Sequence, residues 1–391
     1  MAARIYWFTA VAGYIVQTKC FSYLQTRENY EDAKDEKVHQ GLTVVLSFMY
    51  FASWLLVPAV SRLFDARETS KKLDLPAPLG FASSSSDLEL QTFDEEPELA
   101  SDTAELMRNN DNKPEADSKI CFKYVAQLVT LSMLVLVPVL TYMMALSMSP
   151  AFDIALIQNT SIFEITSLLY GVCGLTKRRN VVTKFLIMMV ALLGILIVSY
   201  TKATCDLLAG KLSINEKTGE LNDPFLFDRL KSSLLCGLGA LTIGPFAVLW
   251  HRWFNKRSKQ VTMREQAGHL SIMGVICMVL LLPFFPALAG TISSICKDRS
   301  FWLVSVVTLI FGALPHVVSL LQVTRKTTPE YSTTINLGAI IFMGITDWIC
   351  EPTQTTIVRW EVIGYIMLSV CCIMLSITYY HKGQDRYTSL I

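Results

Sequence analysis

The most informative residues are the ionisable and amide side chains that interrupt long apolar runs. Glu164 stands inside Ile154–Leu175, flanked by Ile162, Phe163 and Ile165. A charged group in hydrocarbon costs about 2.5–3.5 kcal/mol on insertion scales, so it marks a pathway or a pair. At that depth a carboxylate can load and release a proton or bind a cationic solute; its plainer role is a hydrogen bond to a neighbouring helix. Lys19, inside Ile5–Leu24, can pair with Glu164 or receive an anionic substrate, and its plainer role is snorkelling to the nearby interface. Gln158, Asn159 and Ser161 precede Glu164 on the same run, and helical spacing puts Ser161 and Glu164 on one face. Gln17, Tyr142 and Asn336 complete the candidate substrate-binding set around a central cavity. Polar side chains of this kind also bind membrane helices to one another, at about 0.6 kcal/mol each. His316 reads as a satisfied core histidine and Asp347 as an interfacial carboxylate. There is no C-x-x-C pair, clustered His/Asp motif, nucleophile elbow or phosphate-cradling loop, so neither an enzyme nor a metal or other cofactor is expected.

Elements that position these residues follow from composition. Of 391 residues, 52% are hydrophobic and 17% charged, and the mean hydropathy is +0.41. A soluble domain carries about 25% charged residues, so the chain reads as an all-α polytopic membrane protein. The net charge of +1 gives no case for nucleic-acid binding. Ten runs are long enough to cross a bilayer: 5–24, 41–63, 124–147, 154–175, 181–200, 232–250, 270–295, 301–323, 331–349 and 358–380. The first is the least apolar, because it holds Gln17 and Lys19. The seventh holds Pro283 and Pro286, which predict a kink.

The segments therefore order as two transmembrane helices in 1–65, an acidic loop over 66–118, helices three to five in 119–201, a lumenal loop over 202–229, helices six to ten in 230–380 and a tail at 381–391. Alternate loops plus both tails hold 22 Lys and Arg against 11 on the other side, so both termini are expected in the cytosol. The 66–118 loop has 13 acidic and five basic residues and the run Ser83–Ser86; it reads as disordered and cytosolic. The sequon at Asn159 falls inside a span and should carry no sugar. Cys205 and Cys296 face the lumen and can pair only if folding brings them together. The tail sequence Tyr387-Thr388-Ser389-Leu390 has the pattern read by sorting adaptors.

Ten spans divide as two five-helix halves, which an odd number makes oppositely oriented, as in inverted repeats. At an offset of 179 residues Pro150 meets Pro329, Phe163 meets Phe342 and Ser167 meets Thr346. The stretch Leu146–Pro150 followed by Leu156–Ile165, together with the Gly- and Ile-rich run Ala191–Tyr200, resembles the third to fifth spans of the drug/metabolite transporter superfamily. The eukaryotic solute-carrier branch, with its nucleotide-sugar transporters and orphan relatives, is the nearest in pattern.

That resemblance implies a secondary transporter of a polar organic metabolite, with a nucleotide sugar as the first specific substrate, in a Golgi, endolysosomal or vacuolar membrane. Membrane lipids and a small-molecule substrate are its expected partners, and a homodimer is compatible with it. The alternative is a non-transporting adaptor or receptor that recruits partners through the acidic loop.

Overall fold

A computed structural model describes residues 2–26, 36–73, 114–173, 181–208, 213–214, 221–222, 226–255, 263–286, 292–293, 297–327, 329–350 and 359–388. Side chains are placed for most of these. Apart from a two-residue antiparallel pairing of Ser213–Ile214 with Leu221–Asn222, the described elements are helical.

Long helices occupy the expected apolar runs: α1 (Ala2–Thr26), α2 (Glu36–Leu73), α3 (Pro114–Leu146), α4 (Ala151–Val172), α5 (Val181–Leu208), α6 (Leu226–Trp250) and α7 (Met263–Leu281). Helix α8 runs through Arg299–Val307 and Leu314–Lys326 with a π-helical stretch, Thr308–Ala313, between them; α9 (Pro329–Cys350) and α10 (Arg359–Thr388) follow. Among the described residues seven helices are long and apolar enough to cross a membrane: His39–Arg62, Phe122–Leu146, Leu230–Phe254, Met263–Phe284, Arg299–Arg325, Tyr331–Cys350 and Trp360–Thr378. Helix α5 adds a shorter apolar stretch, Phe185–Thr201. Helices α1 and α4 fall outside this set. Their interiors are diluted by Gln17, Thr18 and Lys19 in one and by Gln158, Asn159 and Glu164 in the other.

Residues 1–63 and 128–391 form one compact unit and residues 64–127 a second. The second includes the end of α2 and the start of α3. Residues 66–73 and 114–118, expected in a disordered loop, are helical. Helix propagation costs little once a long apolar span has nucleated it, so α2 continues through Arg67, Lys71 and Lys72. The acidic run 74–113, Cys296 and the side chains of Cys205 and Tyr387 lie outside the described residues. Helix α10 continues past Tyr380 to Thr388, where a tail was expected.

Local chemistry sets the helix ends and bends. Pro150 caps α4 in an extended conformation (φ −55°, ψ 145°), and Asp153 sits in its first turn, where a carboxylate opposes the helix dipole. Asp298 caps α8 by accepting from the backbone N–H of Ser300 at 3.0 Å. The α-helix α7 ends at Leu281 and passes into a 3₁₀ turn at Leu282–Phe284, since Pro283 cannot donate to the helix. The π stretch of α8 lies just before Pro315 for the same reason: the carbonyl one turn earlier loses its partner and the helix widens. Hydroxyls in the spans satisfy themselves by donating to carbonyls three or four residues back, as Thr18, Thr201 and Thr308 do.

In the main unit α1 lies against α8 and α9, α4 against α6 and α9, and α5 against α10. The α1–α8 crossing is backbone on backbone. A β-carbon on Gly13 would lie 2.8 Å from both the Gly312 carbonyl oxygen and the His316 nitrogen, and one on Gly312 would lie 2.9 Å from the Gln17 Cα. Only glycine lets two helices approach this closely. Gly13→Ala should therefore cost about 1–3 kcal/mol of overpacking, read as a lowered melting temperature of the detergent-purified chain. Gly171→Ala, where nothing lies within 4 Å of the new methyl group, should leave the melting temperature unchanged.

Candidate functional site

Helix α1 carries the polar side chains that organise the main unit. The Trp7 indole donates to the Thr334 hydroxyl of α9 at 3.0 Å. The Tyr14 hydroxyl donates to Gln158 Oε1 of α4 at 3.0 Å. The Tyr142 hydroxyl of α3 donates to Thr18 Oγ1 at 2.7 Å, and Thr18 passes its own proton to the Tyr14 carbonyl at 2.8 Å. The Gln25 amide donates to the Met143 carbonyl of α3 at 2.8 Å. His316 Nδ1 of α8 lies 2.8 Å from the Ala10 carbonyl. Residues 7, 14, 18 and 25 are spaced so that about 100° per residue returns them to one helical face. That stripe was the available signal for Trp7, Tyr14, Thr18 and Gln25, none of which the candidate set includes.

Lys19 does not pair with Glu164. Its ammonium lies 2.6 Å from Asp347 of α9, with the two side chains 26% and 13% exposed. Asp347, expected to be solvated at the interface, is thus the counter-ion of a partly buried pair. The cause is the course of α1, which meets α9 at Trp7 with Thr334, at Val11 with Gly338 and again at Lys19 with Asp347.

A cavity of about 270 Å³ lies within this unit. Gln17, Tyr142, Gln158, Asn159 and Asn336 line it, joined by Tyr14 and Thr166, among a mainly aliphatic and aromatic wall. The cavity face of α4 is the stripe Gln158, Ile162, Thr166 and Tyr170. Glu164 is two residues from both Ile162 and Thr166, about 200° around the helix, and it is not part of the wall. Its Oε1 is buried without a hydrogen-bond partner among the described residues. Ser161, half-buried, is also off the wall. Asn159 donates back to the Ala155 carbonyl at 2.7 Å. Among the described residues no Lys, Arg, Asp or Glu lines the cavity, and no group of three metal-ligating side chains occurs. The wall offers amide, hydroxyl and indole groups in an apolar setting, suited to hydrogen bonding of an uncharged molecule.

The Lys19–Asp347 pair predicts a specific stability pattern. Lys19→Met should cost about 2–3 kcal/mol, somewhat below a fully buried pair because both groups keep some exposure. Lys19→Met combined with Asp347→Leu should recover most of that loss, measured by thermal unfolding in one detergent.

Comparison with known proteins changes the functional reading. The family model described as ceramide synthase regulator (CSG2) matches residues 1–379. The Saccharomyces cerevisiae protein described as mannosyl phosphorylinositol ceramide synthase regulatory protein CSG2 is 47% identical over 414 aligned residues, which cover 99% of this chain and all of that protein. These matches overturn the drug/metabolite transporter resemblance and, with it, the secondary transporter and its small-molecule substrate. The resemblance misled because apolar spans draw on few residue types. A Ser-Pro entry, a Ser-Ile-Phe run and a Gly-Ile-rich helix recur in unrelated membrane chains for the same packing reasons. The absence of catalytic motifs has a simple counterpart, since both matches are to regulators and the chain is not an enzyme. The chain belongs to the ceramide synthase regulator family.

Proposed function

We propose that the protein is a membrane-embedded regulatory subunit of the enzyme that makes mannosyl phosphorylinositol ceramide. The near-complete coverage at 47% identity with a regulatory protein of that enzyme carries the reading. The adaptor alternative from the sequence fits it: the partner is a protein, the catalytic chain of the synthase, and the acidic 66–118 segment is the recruiting element. A full-length tagged chain should co-purify with the synthase and restore mannosyl phosphorylinositol ceramide in cells lacking the relative. Deleting residues 74–113 should reduce co-purification at least several-fold while leaving the melting temperature intact. Restoration by a chain that never co-purifies with the synthase would contradict the subunit reading, and unchanged co-purification of the deleted chain would remove the loop from the contact.

The same proposal includes ten membrane crossings in two inverted halves, with both termini cytosolic, in an endomembrane. Exchanging α1–α5 with α6–α10 maps the α4–α9 and α5–α10 pairings onto themselves and α4–α6 onto α9–α1. It also maps the Gly13 crossing over Gly312 and His316 onto the approach of Gly239 to Pro138 and Thr141. Gly194 and Gly364 meet each other across α5 and α10, as a twofold relation requires. These correspondences and the Lys and Arg bias support the arrangement. A glycosylation site inserted into 209–220 should acquire sugar, whereas one inserted into 74–113 should not; the reverse pattern would invert the topology.

A further inference from the structure

The cavity is unused by a purely scaffolding regulator, and three of its wall residues, Gln17, Trp54 and Thr166, carry a buried polar atom with no hydrogen-bond partner among the described residues. Gln17 is 5% exposed and Thr166 is 4% exposed, yet Gln17 Oε1 and Thr166 Oγ1 have no hydrogen-bond partner among the described residues. Buried polar atoms are normally satisfied, and leaving one unpaired is costly. Thr18, Thr201 and Thr308 all bond a carbonyl one turn back, whereas Thr160 and Thr166 of α4 have no partner among the described residues, and of these two Thr166 lines the cavity. Asn336 of α9, half-buried on the wall, adds a further amide group.

The wall also decides the charge of what fits. Among the described residues no Lys, Arg, Asp or Glu lines it, so a phosphate entering the cavity would meet no counter-ion there and would lose its hydration. Of the two imidazoles on the wall, His316 already engages the Ala10 carbonyl. Aromatic and aliphatic side chains dominate the remainder, among them Tyr50, Trp54, Phe246 and Trp250. An uncharged amphiphile with an amide and hydroxyls at its head and hydrocarbon behind it offers donors and acceptors to these groups and apolar surface to the rest of the wall.

We propose that this cavity is a receptor site for the uncharged head of a ceramide, an N-acyl amino alcohol, held by Gln17, Thr166 and Asn336 with its chains along the apolar wall. The choice of ceramide among uncharged amphiphiles rests on the regulatory reading above; the uncharged head and the cavity do not. Occupancy would let the regulator report the local supply of the lipid from which the synthase's products are built.

The test is thermal unfolding of the purified full-length chain with ceramide, diacylglycerol or phosphorylinositol ceramide at equal mole fraction in detergent. Ceramide should raise the melting temperature, with little effect from the other two. The Gln17→Leu/Thr166→Val double variant removes two unpaired groups, so it should keep the unliganded melting temperature and need about tenfold more ceramide or beyond. No shift with ceramide, an equal shift with diacylglycerol, a larger shift with phosphorylinositol ceramide, or unaltered binding by the double variant would each overturn the proposal. If the double variant does not fold, a photoactivatable ceramide on the wild-type chain decides: adducts on α1 or α4 support the site, and adducts confined to α5 or α10 overturn it. The synthase is absent from the assay, so failure here leaves the regulatory reading standing, and failure of co-purification leaves this result standing.

Discussion

The main unit depends on the approach of α1 to α8, where Gly13 and Gly312 allow backbone to lie on backbone. At that separation the rest of α1 falls between α3, α4 and α9, and Trp7, Tyr14, Thr18, Lys19 and Gln25 each meet a partner on another helix. In lipid the apolar helix faces gain little from contact with one another, since hydrocarbon solvates them as well as protein does. Close approach and specific hydrogen bonds must supply the association, and α1 supplies both. The hydrogen-bond chain from Tyr142 through Thr18 to the Tyr14 carbonyl, with Tyr14 bonded onward to Gln158, joins three helices in one network.

Much of the helical layout was legible in the sequence, because a span in hydrocarbon must be a long apolar helix. The apolar runs located the helices, although α2, α3, α5 and α10 extend well past their runs and α7 ends well before Ile295, and the prolines at 150, 283 and 329 marked starts and breaks. What the sequence obscured was rotation about each helix axis. Glu164 looked like the centre of a site because charge in an apolar run is conspicuous, but the cavity face of α4 is the Gln158–Ile162–Thr166–Tyr170 stripe. Lys19 looked like a weak point in the first span and instead forms an ion pair with Asp347. The polar stripe Trp7, Tyr14, Thr18 and Gln25 was visible as spacing, yet aromatic and hydroxyl residues in a span are common enough to pass unmarked.

Function was less legible than fold. Nothing in the residues distinguished a bundle that moves a solute from one that governs a neighbouring enzyme, because both need tightly packed spans and a polar interior. Similarity across essentially the whole chain to a regulatory protein settled the family. Under the proposed regulatory role the cavity is a place where the regulator is informed, not a route through the membrane. Among the described residues its wall holds no Lys or Arg, which separates it from sites for nucleotide-linked or phosphorylated compounds, whose negative charge must be met.

The most direct measurement is the rate of mannosyl phosphorylinositol ceramide synthesis in proteoliposomes holding the catalytic protein, with and without this chain. The regulatory account predicts a clear rise when the chain is added and no product from the chain alone. A rate indifferent to the chain, or product made by the chain without the catalytic protein, would contradict it.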